Sequence, residues 1–331
     1  MKHDFPVFLR NGRYRVERIF ADGGGMGLLY EARDTFCADN RVLIKTTRYD
    51  TGPRTRNFKY TRDEAEKFVE SSRKILAWEK KVLVRFRNDG LNNIPSANNY
   101  FLDRSLTLQP AYEGKAGTYE LGEETLDREP YLVLEYIPGD LLDARFEDEA
   151  FRGDLEDNLL TLAREILTIF IRLHRSFELD GQEAYFLYQD LKPGNVLVSQ
   201  EDYFTLIDFG GVTLRLGGKT TEPTAGCITA GYAAPEASGG NEAYIDARYD
   251  IFTLGATLWE AVTGVEPASL GEFPTLDPAA MRGRGVSEGF VKLVARAVHP
   301  DVDKRYPSAA AMRRDVMELL REVRAPQSSV G

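Results

Sequence analysis

Short stretches in which hydrophobic and polar residues alternate make up most of the first 137 residues. Five of them predict strands, at residues 13–20, 28–33, 41–46, 99–112 and 131–137. Between the first two strands lies the glycine-rich segment 22–27, which predicts a turn. Hydrophobic residues recur at helical spacing over 63–87 and predict one long helix. The first part of the chain is therefore expected to be a sheet accompanied by one main helix.

The pattern changes near Pro138-Gly139, after which longer segments with helical spacing predominate. Helices are predicted at residues 154–175, 249–263, 287–298 and 308–322. Two short apolar runs, 195–198 and 203–207, are joined by a polar turn and predict a hairpin. The glycine- and threonine-rich segment 211–231 predicts a loop. A strand-rich part followed by a helix-rich part predicts two lobes of the α+β class.

The change of pattern divides the chain into an N-terminal lobe, a C-terminal lobe and a disordered polar tail, at residues 1–137, 138–322 and 323–331. Two segments of the first lobe fit none of its predicted elements. Residues 48–62 are basic and lack periodicity, and residues 113–129 are rich in glycine and acidic residues. Both are interpreted as long solvated loops inserted in the first lobe.

Composition narrows the classes of function. The 331 residues are 43% hydrophobic, enough for a sizeable core, and the net charge of −10 argues against nucleic-acid or membrane-surface binding. Cys37 and Cys227 are far apart in sequence and indicate neither a metal site nor a disulfide framework. No apolar run approaches the ~18 residues of a transmembrane helix, and residues 1–14 are too polar for a signal peptide. A cytoplasmic location is expected.

The residue types that carry chemistry are concentrated in residues 188–210. Asp190, Lys192 and Asn195 lie in a turn-forming DLKPGN segment, and Asp208 follows the second run of the predicted hairpin. Pairing of the two runs would bring Asn195 and Asp208 close together. The set offers an acid for a hydroxyl proton, a cation for phosphate, and an amide and a carboxylate for Mg²⁺. Phosphoryl transfer needs such a set, because its catalysis is mostly positioning and charge neutralisation.

The stretch YQDLKPGNVLVSQEDYFTLIDFG resembles the catalytic loop and metal-binding segment of eukaryotic-type (Hanks-type) serine/threonine protein kinases, in particular those of bacteria. The resemblance implies a two-lobed protein kinase fold, with an N-terminal antiparallel sheet plus one main helix and a mostly helical C-terminal lobe. It also implies that Asp190 accepts the proton of the substrate hydroxyl and that Lys192 neutralises the γ-phosphate of ATP. Asn195 and Asp208 would hold Mg²⁺, for which Mn²⁺ could substitute.

The first lobe carries further motifs of this family. The segment DGGGMG resembles the nucleotide-covering loop, and the glycines that would bind ATP are Gly23, Gly24, Gly25 and Gly27. Lys45 ends the strand RVLIK, matches the family's strand lysine, and would contact the α- and β-phosphates. Its partner would be Glu79, which borders the apolar stripe of the predicted helix. Glu64, Glu66 and Glu70 remain alternatives.

Two other segments complete the implied site. YLVLEYIPG resembles the linker between the kinase lobes, so Leu134 would close the back of the adenine pocket. The backbone of Glu135 and Ile137 would hydrogen-bond the adenine. GCITAGYAAPE resembles the end of the activation segment, where Thr229 would position the substrate and contact Asp190.

Residues with structural roles follow from the same resemblance. Glu236 would form a buried pair with Arg305, and Asp250 would hold the backbone of the catalytic loop, although an acid at a helix N-terminus also suits the helix dipole. His174 is interpreted as a packing or capping residue, since the three histidines are scattered. The candidate autophosphorylation sites are Thr213, Thr220, Thr221 and Thr224.

Three residues depart from the family pattern. Asp22 stands at the position of the first glycine of the loop and is expected to weaken ATP binding modestly or to impose a special loop conformation. Tyr188 and Gln189 stand where the family usually has His and Arg. Because Gln189 has no charge, it cannot recruit a phosphorylated loop as an arginine does, so activity should not depend on that interaction.

The ordered set of motifs predicts a serine/threonine protein kinase that acts on protein Ser and Thr hydroxyls and phosphorylates itself. Protein substrates are the expected partners, without nucleic-acid or membrane contact, and the sequence does not indicate whether the chain dimerises. One alternative is an ATP-binding pseudokinase or scaffold, which the three departures favour. The other is a small-molecule kinase, which shares the spacing of the acidic and amide residues but does not need a peptide-binding segment such as that around Thr229.

Overall fold

A computed structural model describes residues 5–22, 27–47, 62–106, 111–114, 117–120, 123–221, 229–239 and 245–325. The chain divides into two compact units. The first comprises Met1–Gly90 and Pro95–Ile137, and the second comprises Leu91–Ile94 and Pro138–Gly331. No described helix combines the length and the apolar character that a membrane crossing requires.

The first unit contains strands and two helices in its described residues. Its elements are β1 (Val7–Leu9), β2 (Tyr14–Asp22), β3 (Gly27–Asp34), β4 (Asn40–Thr47), α1 (Arg62–Asn88), β5 (Ala97–Asp103), β6 (Ala111–Gly114), β7 (Gly117–Glu120), α2 (Glu123–Leu126) and β8 (Glu129–Glu135). Six strands form an antiparallel sheet in the order β1-β2-β3-β4-β8-β5. The predicted antiparallel pattern of sheet and main helix is confirmed.

Alternation along β4 explains how this sheet presents a charged residue. Val42 and Ile44 are buried in a core that includes Tyr30 and Tyr131, because successive side chains of a strand point to opposite faces. Lys45 therefore lies on the other face, where β4 pairs it with Leu132 of β8. The hydrophobic positions of the strand thus determine which side of the sheet carries the lysine.

The second unit is mostly helical. Its elements are β9 (Asp140–Leu141), α3 (Leu142–Arg145), α4 (Glu149–Gly153), α5 (Leu155–Leu173), β10 (Phe177–Leu179), β11 (Gln182–Leu187), β12 (Val196–Val198), β13 (Phe204–Leu206), β14 (Thr213–Leu216), β15 (Lys219–Thr221), α6 (Ala247–Thr263), α7 (Glu288–Ala297) and α8 (Ala309–Val323). The four long helices were all predicted, with ends within two residues of those observed, and the β12–β13 hairpin is present.

Helix α6 is the central element of the second unit, since nearly all of its residues are buried. The Asp246 side chain caps its N-terminus by accepting a hydrogen bond from the Arg248 N–H, and Gly264 ends it in the left-handed conformation. Serines cap the next two long helices, with Ser287 at α7 and Ser308 at α8. These capping side chains satisfy backbone N–H groups at the first turn and so determine where each helix begins.

The prediction of a loop over 211–231 was wrong for its first half. Residues 213–221 form the β14–β15 hairpin, and β14 also pairs with β11. The turn uses Gly217 and Gly218, both with positive φ, as two-residue hairpins require. Strands of three or four residues with few apolar positions give no clear periodicity, which is why the sequence suggested a loop.

Two other segments are more ordered than predicted. Within 113–129 the structure contains the hairpin β6–β7 and the short helix α2, so this insertion is not a plain loop. The tail prediction was wrong at its start, because α8 extends to Val323 and the Arg324 guanidinium donates to Asp157. Residues 326–331 and the predicted insertion residues 48–61 lie outside the described residues.

Candidate active site

In the first unit, Lys45 forms an ion pair with a helix glutamate. Its Nζ lies 3.0 and 2.9 Å from the two carboxylate oxygens of Glu79, whose side chain is 1% exposed. Glu79 is held there because Leu83 and Phe86, on the same stripe of α1, are buried. Of the alternatives, Glu70 is exposed and pairs with Arg73 at 3.2 Å, while the side chains of Glu64 and Glu66 lie outside the described part.

The remaining predicted nucleotide-binding residues of this unit are only partly described. Gly23, Gly24 and Gly25 lie outside the described residues, as does the side chain of Asp22. Gly27 begins β3, and a Cβ on it would lie 3.5 Å from Lys45 Cε, so this glycine sits directly beside the lysine side chain.

The three predicted adenine-contact residues lie at and just after the end of β8. Leu134 is 9% exposed and pairs with Leu43 across the strands. Glu135 is exposed, its N–H donates to the Ser96 carbonyl, and its side chain accepts from the Ser96 N–H at 3.2 Å. Ile137 is half-buried and is the last residue of the first unit.

In the second unit, Asp190 is the centre of a polar cluster. Lys192 Nζ lies 3.0 Å from Asp190 Oδ2 and 2.9 Å from Thr229 Oγ1. The Thr229 hydroxyl donates to Asp190 Oδ1, and Asn195 Nδ2 donates to Asp190 Oδ2 at 2.9 Å and to its backbone carbonyl at 2.7 Å. The structure thus brings together four of the residues that the sequence singled out, with Asp190 8% exposed.

The β12–β13 hairpin places Asn195 beside Asp208. Val196 pairs with Leu206, and the Ile207 N–H donates to the Asn195 carbonyl at 2.9 Å, so Asp208 is one residue beyond this contact. Asp208 adopts the left-handed conformation with φ 60°, and its Oδ1 accepts from the Gly210 N–H. Aspartate is among the few residues other than glycine that visit this region.

Asn195 and Asp208 together suit a hard divalent cation. Both partners of the Asn195 amide nitrogen are oxygen acceptors, which fixes the orientation of the amide. Since the amide nitrogen is the atom that donates to Asp190, the second polar atom of the Asn195 side chain is its carbonyl oxygen. The exposed Asp208 adds a carboxylate. Amide and carboxylate oxygens are ligands that Mg²⁺ accepts, so the residues present fit the predicted cation.

Asp250 fixes the backbone that precedes Asp190. Its carboxylate is fully buried and accepts from the N–H groups of Tyr188 and Gln189, at 2.9 and 2.8 Å. His174 Nε2 lies 2.8 Å from the same carboxylate, and the His174 ring stacks on Phe170. His174 therefore does more than the predicted packing and capping. Its 76-residue separation from Asp250 explains why local sequence gave no sign of the contact.

The two departures in the catalytic loop form neutral contacts. Tyr188 is buried, its hydroxyl donates to the Ile207 carbonyl, and its ring meets Phe209 edge-on. Gln189 has φ 67° and accepts a hydrogen bond from the Thr213 hydroxyl at 2.9 Å. Thr213 is only 2% exposed, so this candidate phosphorylation site is closed to an approaching enzyme.

A buried ion pair joins the segment after Thr229 to the C-terminal helices. Arg305, whose side chain is fully buried, donates from Nη1 and Nη2 to the two oxygens of Glu236, both at 2.7 Å. Its Nε donates to the His299 carbonyl, and its guanidinium lies over the Phe252 ring. The bidentate geometry satisfies both partners, as burial of such charges requires.

We expect the Glu236→Gln variant to lose about 3 kcal/mol of unfolding free energy. Removing the carboxylate leaves the Arg305 guanidinium buried without a counter-charge, which typically costs 3–5 kcal/mol. Urea unfolding followed by circular dichroism measures the loss. The matched control is Glu288→Gln, which breaks the exposed pair with Arg282 and should leave the urea midpoint nearly unchanged. Equal losses in the two variants would contradict the prediction.

Comparison with known proteins agrees with this geometry. A family model described as the protein kinase domain matches residues 117–317, which is more than half of the chain. The chain is 27% identical over 93% of its length to a Streptomyces coelicolor protein named "probable serine/threonine-protein kinase", and 26% identical over 97% to serine/threonine-protein kinase PksC of that organism. It is 26% identical over 82% of its length to serine/threonine-protein kinase PknB of Mycolicibacterium smegmatis. The chain spans 40%, 51% and 41% of these relatives.

Proposed function

The chain belongs to the protein kinase domain family, and on that premise we propose that it transfers the γ-phosphate of ATP to serine and threonine hydroxyls of proteins. One observation carries the proposal: the carboxylate of Asp190 already accepts a hydrogen bond from an alcohol, the hydroxyl of Thr229. A substrate hydroxyl needs the same acceptor when its oxygen attacks phosphorus. The adjoining Lys192 ammonium lies 2.9 Å from that hydroxyl oxygen, where it can stabilise charge on a transferred phosphoryl group.

Each residue of the proposed site has a role that its contacts support. Asp190 orients the substrate hydroxyl and takes its proton, and the amide of Asn195 holds this carboxylate in place. Lys45, oriented by Glu79, binds the phosphates of ATP. Bound Mg²⁺, held by Asn195 and Asp208, would neutralise charge on the phosphates. Asp250 maintains the loop backbone that presents Asp190. We place nucleotide binding in the first unit and catalysis with substrate binding in the second, within a cytoplasmic protein.

A cavity of about 530 Å³ in the second unit adjoins this cluster and suits a peptide segment. Its lining includes Lys192, Thr229, Tyr232, Asp143, Glu260 and Glu266. Lys192 pairs with Asp190, and no ion pair of the described residues involves Asp143, Glu260 or Glu266, so these three carboxylates line the cavity without a paired cation from that part of the chain. A substrate with a basic residue close to the phosphorylated hydroxyl would supply that cation.

Glu260 gives this cavity a measurable pH dependence. Burial, with the charges of Glu266 and Asp143, raises the pKa of the Glu260 carboxyl to about 7, although the Tyr232 hydroxyl donates to it. Because the folded protein holds this proton more tightly than the unfolded chain, the unfolding free energy should fall as the pH rises from about 4.5 to about 7. We expect a fall on the order of 1 kcal/mol, since solvent screening weakens the effect at this partly open site.

The Glu260→Gln variant tests this expectation, because it lacks the titrating group. Urea unfolding at a series of pH values should give a flatter profile for the variant than for the parent protein between pH 4.5 and 7. Glu201→Gln, at an exposed carboxylate in the turn between β12 and β13, is the control for the removal of one negative charge. Superimposable profiles for parent and Glu260→Gln would refute a raised pKa at Glu260.

The proposed activity is tested by phosphate transfer from labelled ATP with Mg²⁺, to the protein itself and to a generic basic protein substrate. Incorporation on serine or threonine should occur, and the Asp190→Asn variant should reduce it at least about 100-fold, because it lacks the proton acceptor. Melting temperatures and ATP binding of the variant show that it is folded. Binding of Mg-ATP by the parent protein without any transfer would contradict the proposal and favour a pseudokinase.

A further inference from the structure

Residues 128–130, where strand β8 begins, contact both of the elements that carry the Lys45–Glu79 pair. One set of their contacts reaches β4, which carries Lys45, and another reaches α1, which carries Glu79. The first two of these residues end the segment 113–129, for which the sequence suggested only a solvated loop. The ion pair is thus connected on both sides to one short stretch of chain.

The backbone ladder between β4 and β8 ends at Lys45. Its last pair is Lys45 with Leu132, and two residues from Leu132 on β8 stands Pro130, which has no N–H to donate. On its other side, β4 remains paired with β3 as far as Thr47. The end of β4 that carries the lysine is therefore joined to β8 by a side chain instead of by the ladder.

The side chain that makes this connection is Thr46, which is fully buried. Its hydroxyl oxygen lies 2.6 Å from Glu129 Oε1 and 2.7 Å from the Pro130 carbonyl oxygen, so its proton has two acceptors on the same strand. Because successive side chains of a strand point to opposite faces, Thr46 holds the strand from the core side while Lys45 projects from the other side. Loss of this hydroxyl would loosen the strand end without altering the lysine itself.

Glu129 is a firm attachment point, because its carboxylate is held through both oxygens. The residue is fully buried, and its Oε2 accepts from the Ser105 hydroxyl and, at 3.1 Å, from the Leu106 N–H. The same N–H lies 3.0 Å from the hydroxyl oxygen of Tyr131, the next but one residue of β8. A buried network whose members all have partners is rigid, so it gives the carboxylate one orientation.

Arg128, the residue before Glu129, holds helix α1. The Nε of Arg73 donates to the Arg128 carbonyl at 2.8 Å, and the Tyr100 hydroxyl of β5 donates to the Arg73 carbonyl at 3.2 Å. Arg73 precedes Glu79 by six residues, or about 9 Å along the helix axis. The helix is therefore tied to the start of β8 and to β5 less than two turns from the glutamate.

We propose that Thr46 and Arg73 are positioning residues for the Lys45–Glu79 pair, and that residues 128–130 are their common support. One contact places the end of β4 and the other places α1, so the ammonium and the carboxylate are both set relative to the same short segment. Both residues act through the backbone of their own element. The effect on ATP binding rests on the proposed function, whereas the effect on the ion pair does not.

Five variants test the proposal. Thr46→Val removes the hydroxyl with little change of shape, and Thr46→Ser restores it. The matched control is Thr257→Val, since Thr257 is also fully buried and its hydroxyl donates to the Thr253 carbonyl within α6 of the second unit. On the side of the helix, Arg73→Met keeps an apolar stem and loses the donor. Its control is Lys74→Met, at the exposed neighbouring position.

The first measurement is the rate at which an acetylating reagent modifies the Lys45 amine, followed by mass spectrometry with Lys81 as internal reference. Only the unprotonated amine reacts, and pairing with Glu79 favours the protonated form, so modification requires the pair to open. Thr46→Val and Arg73→Met should each accelerate it at least about 5-fold, because each frees one element to move. Thr46→Ser and the two controls should react at the parent rate.

A parent rate in Thr46→Val or in Arg73→Met would overturn the proposal, and so would equal acceleration in the controls. Urea unfolding identifies the variants that are folded. If Thr46→Val does not fold, Arg73→Met decides alone, because Arg73 lies at the surface of α1 with 15% of its side chain exposed.

Steady-state kinetics test the consequence for the reaction. KM for ATP should rise about 10-fold in Thr46→Val and Arg73→Met while KM for the protein substrate stays unchanged, since only the phosphate-binding lysine is misplaced. A purely structural defect would lower the active fraction, and hence kcat, without changing KM for ATP, and that result would overturn the positioning role in the reaction. If the parent protein transfers no phosphate, the proposed function fails, and the acetylation rates still decide whether these residues position the pair.

Discussion

The Asp208→Asn variant is expected to fold normally and to lose transfer activity by at least about 1000-fold. Asp208 is the only carboxylate of the proposed metal pair, and the loss of one negative charge removes its main attraction for a divalent cation, on which the neutralisation of phosphate charge depends. Asparagine is chosen because Asp208 has φ 60°, and asparagine tolerates this left-handed conformation nearly as well as aspartate. Initial rates at saturating ATP over a range of Mg²⁺ and Mn²⁺ concentrations measure the effect.

Asp202→Asn is the control for this experiment. Asp202 also has a positive φ of 56°, but it lies in the turn between β12 and β13, and its carboxylate contacts Arg145 at 3.3 Å. The same substitution in the same backbone conformation should leave the rate unchanged. A similar loss in both variants would mean that backbone conformation, and not cation binding, explains the effect at Asp208. Unchanged turnover in Asp208→Asn would refute the metal assignment.

The part of the site that could be predicted is the part encoded within a short stretch of chain. Asp190, Lys192 and Asn195 share one turn, and a hairpin of two short apolar runs brings Asp208 back to Asn195. Each step depends on neighbouring residues, on turn chemistry and on strand pairing, all of which are visible in the sequence. Lys45 was identified through the family resemblance, which matches it to the strand lysine on the apolar run RVLIK, and this run lies within β4.

Contacts between distant segments could not be predicted from pattern alone. The Tyr232 hydroxyl donates to Glu260, a carboxyl whose pKa is raised by burial, yet nothing near Tyr232 in the sequence indicates this partner. Gly231 has a positive φ, and a Cβ there would lie 2.2 Å from the Ala268 nitrogen, so two loops meet at backbone distance. Arg215 appears in the sequence as an ordinary polar residue of a presumed loop. Its burial follows from a sheet whose short strands lack a hydrophobic signature.

The family resemblance identified functional residues that local pattern could not, and the matching family model covers the two units unequally. The protein kinase domain model begins at residue 117, so it covers the catalytic loop but neither Lys45 nor Glu79. The case for these two residues therefore rests on their geometry, a buried carboxylate with both oxygens within 3.0 Å of one ammonium. Such a pair is not in itself evidence for catalysis, since buried pairs also occur as structural elements.

Replacing Lys45 distinguishes a catalytic role of the Lys45–Glu79 pair from a purely structural one. We expect Lys45→Met to remain folded, because methionine fills much of the volume of the lysine stem, although loss of the ion pair with the buried Glu79 lowers its stability. A catalytic lysine acts on the phosphates, so the folded fraction of this variant should show a kcat/KM for ATP about 1000-fold below that of the parent protein. Phosphate transfer and urea unfolding are measured on the same preparations.

Lys81→Met is the control, because Lys81 lies exposed on α1 two residues from Glu79 and should tolerate the change in both assays. Glu79→Gln adds the decisive comparison. If Glu79 acts by orienting Lys45, its replacement should reduce kcat/KM while a positive charge remains at position 45, so the loss should be smaller than that of Lys45→Met. If instead the pair is only structural, both variants should be destabilised by similar amounts, and the folded fraction of each should transfer phosphate at the parent rate. That result would mean that another cation of the chain, and not Lys45, binds the phosphates.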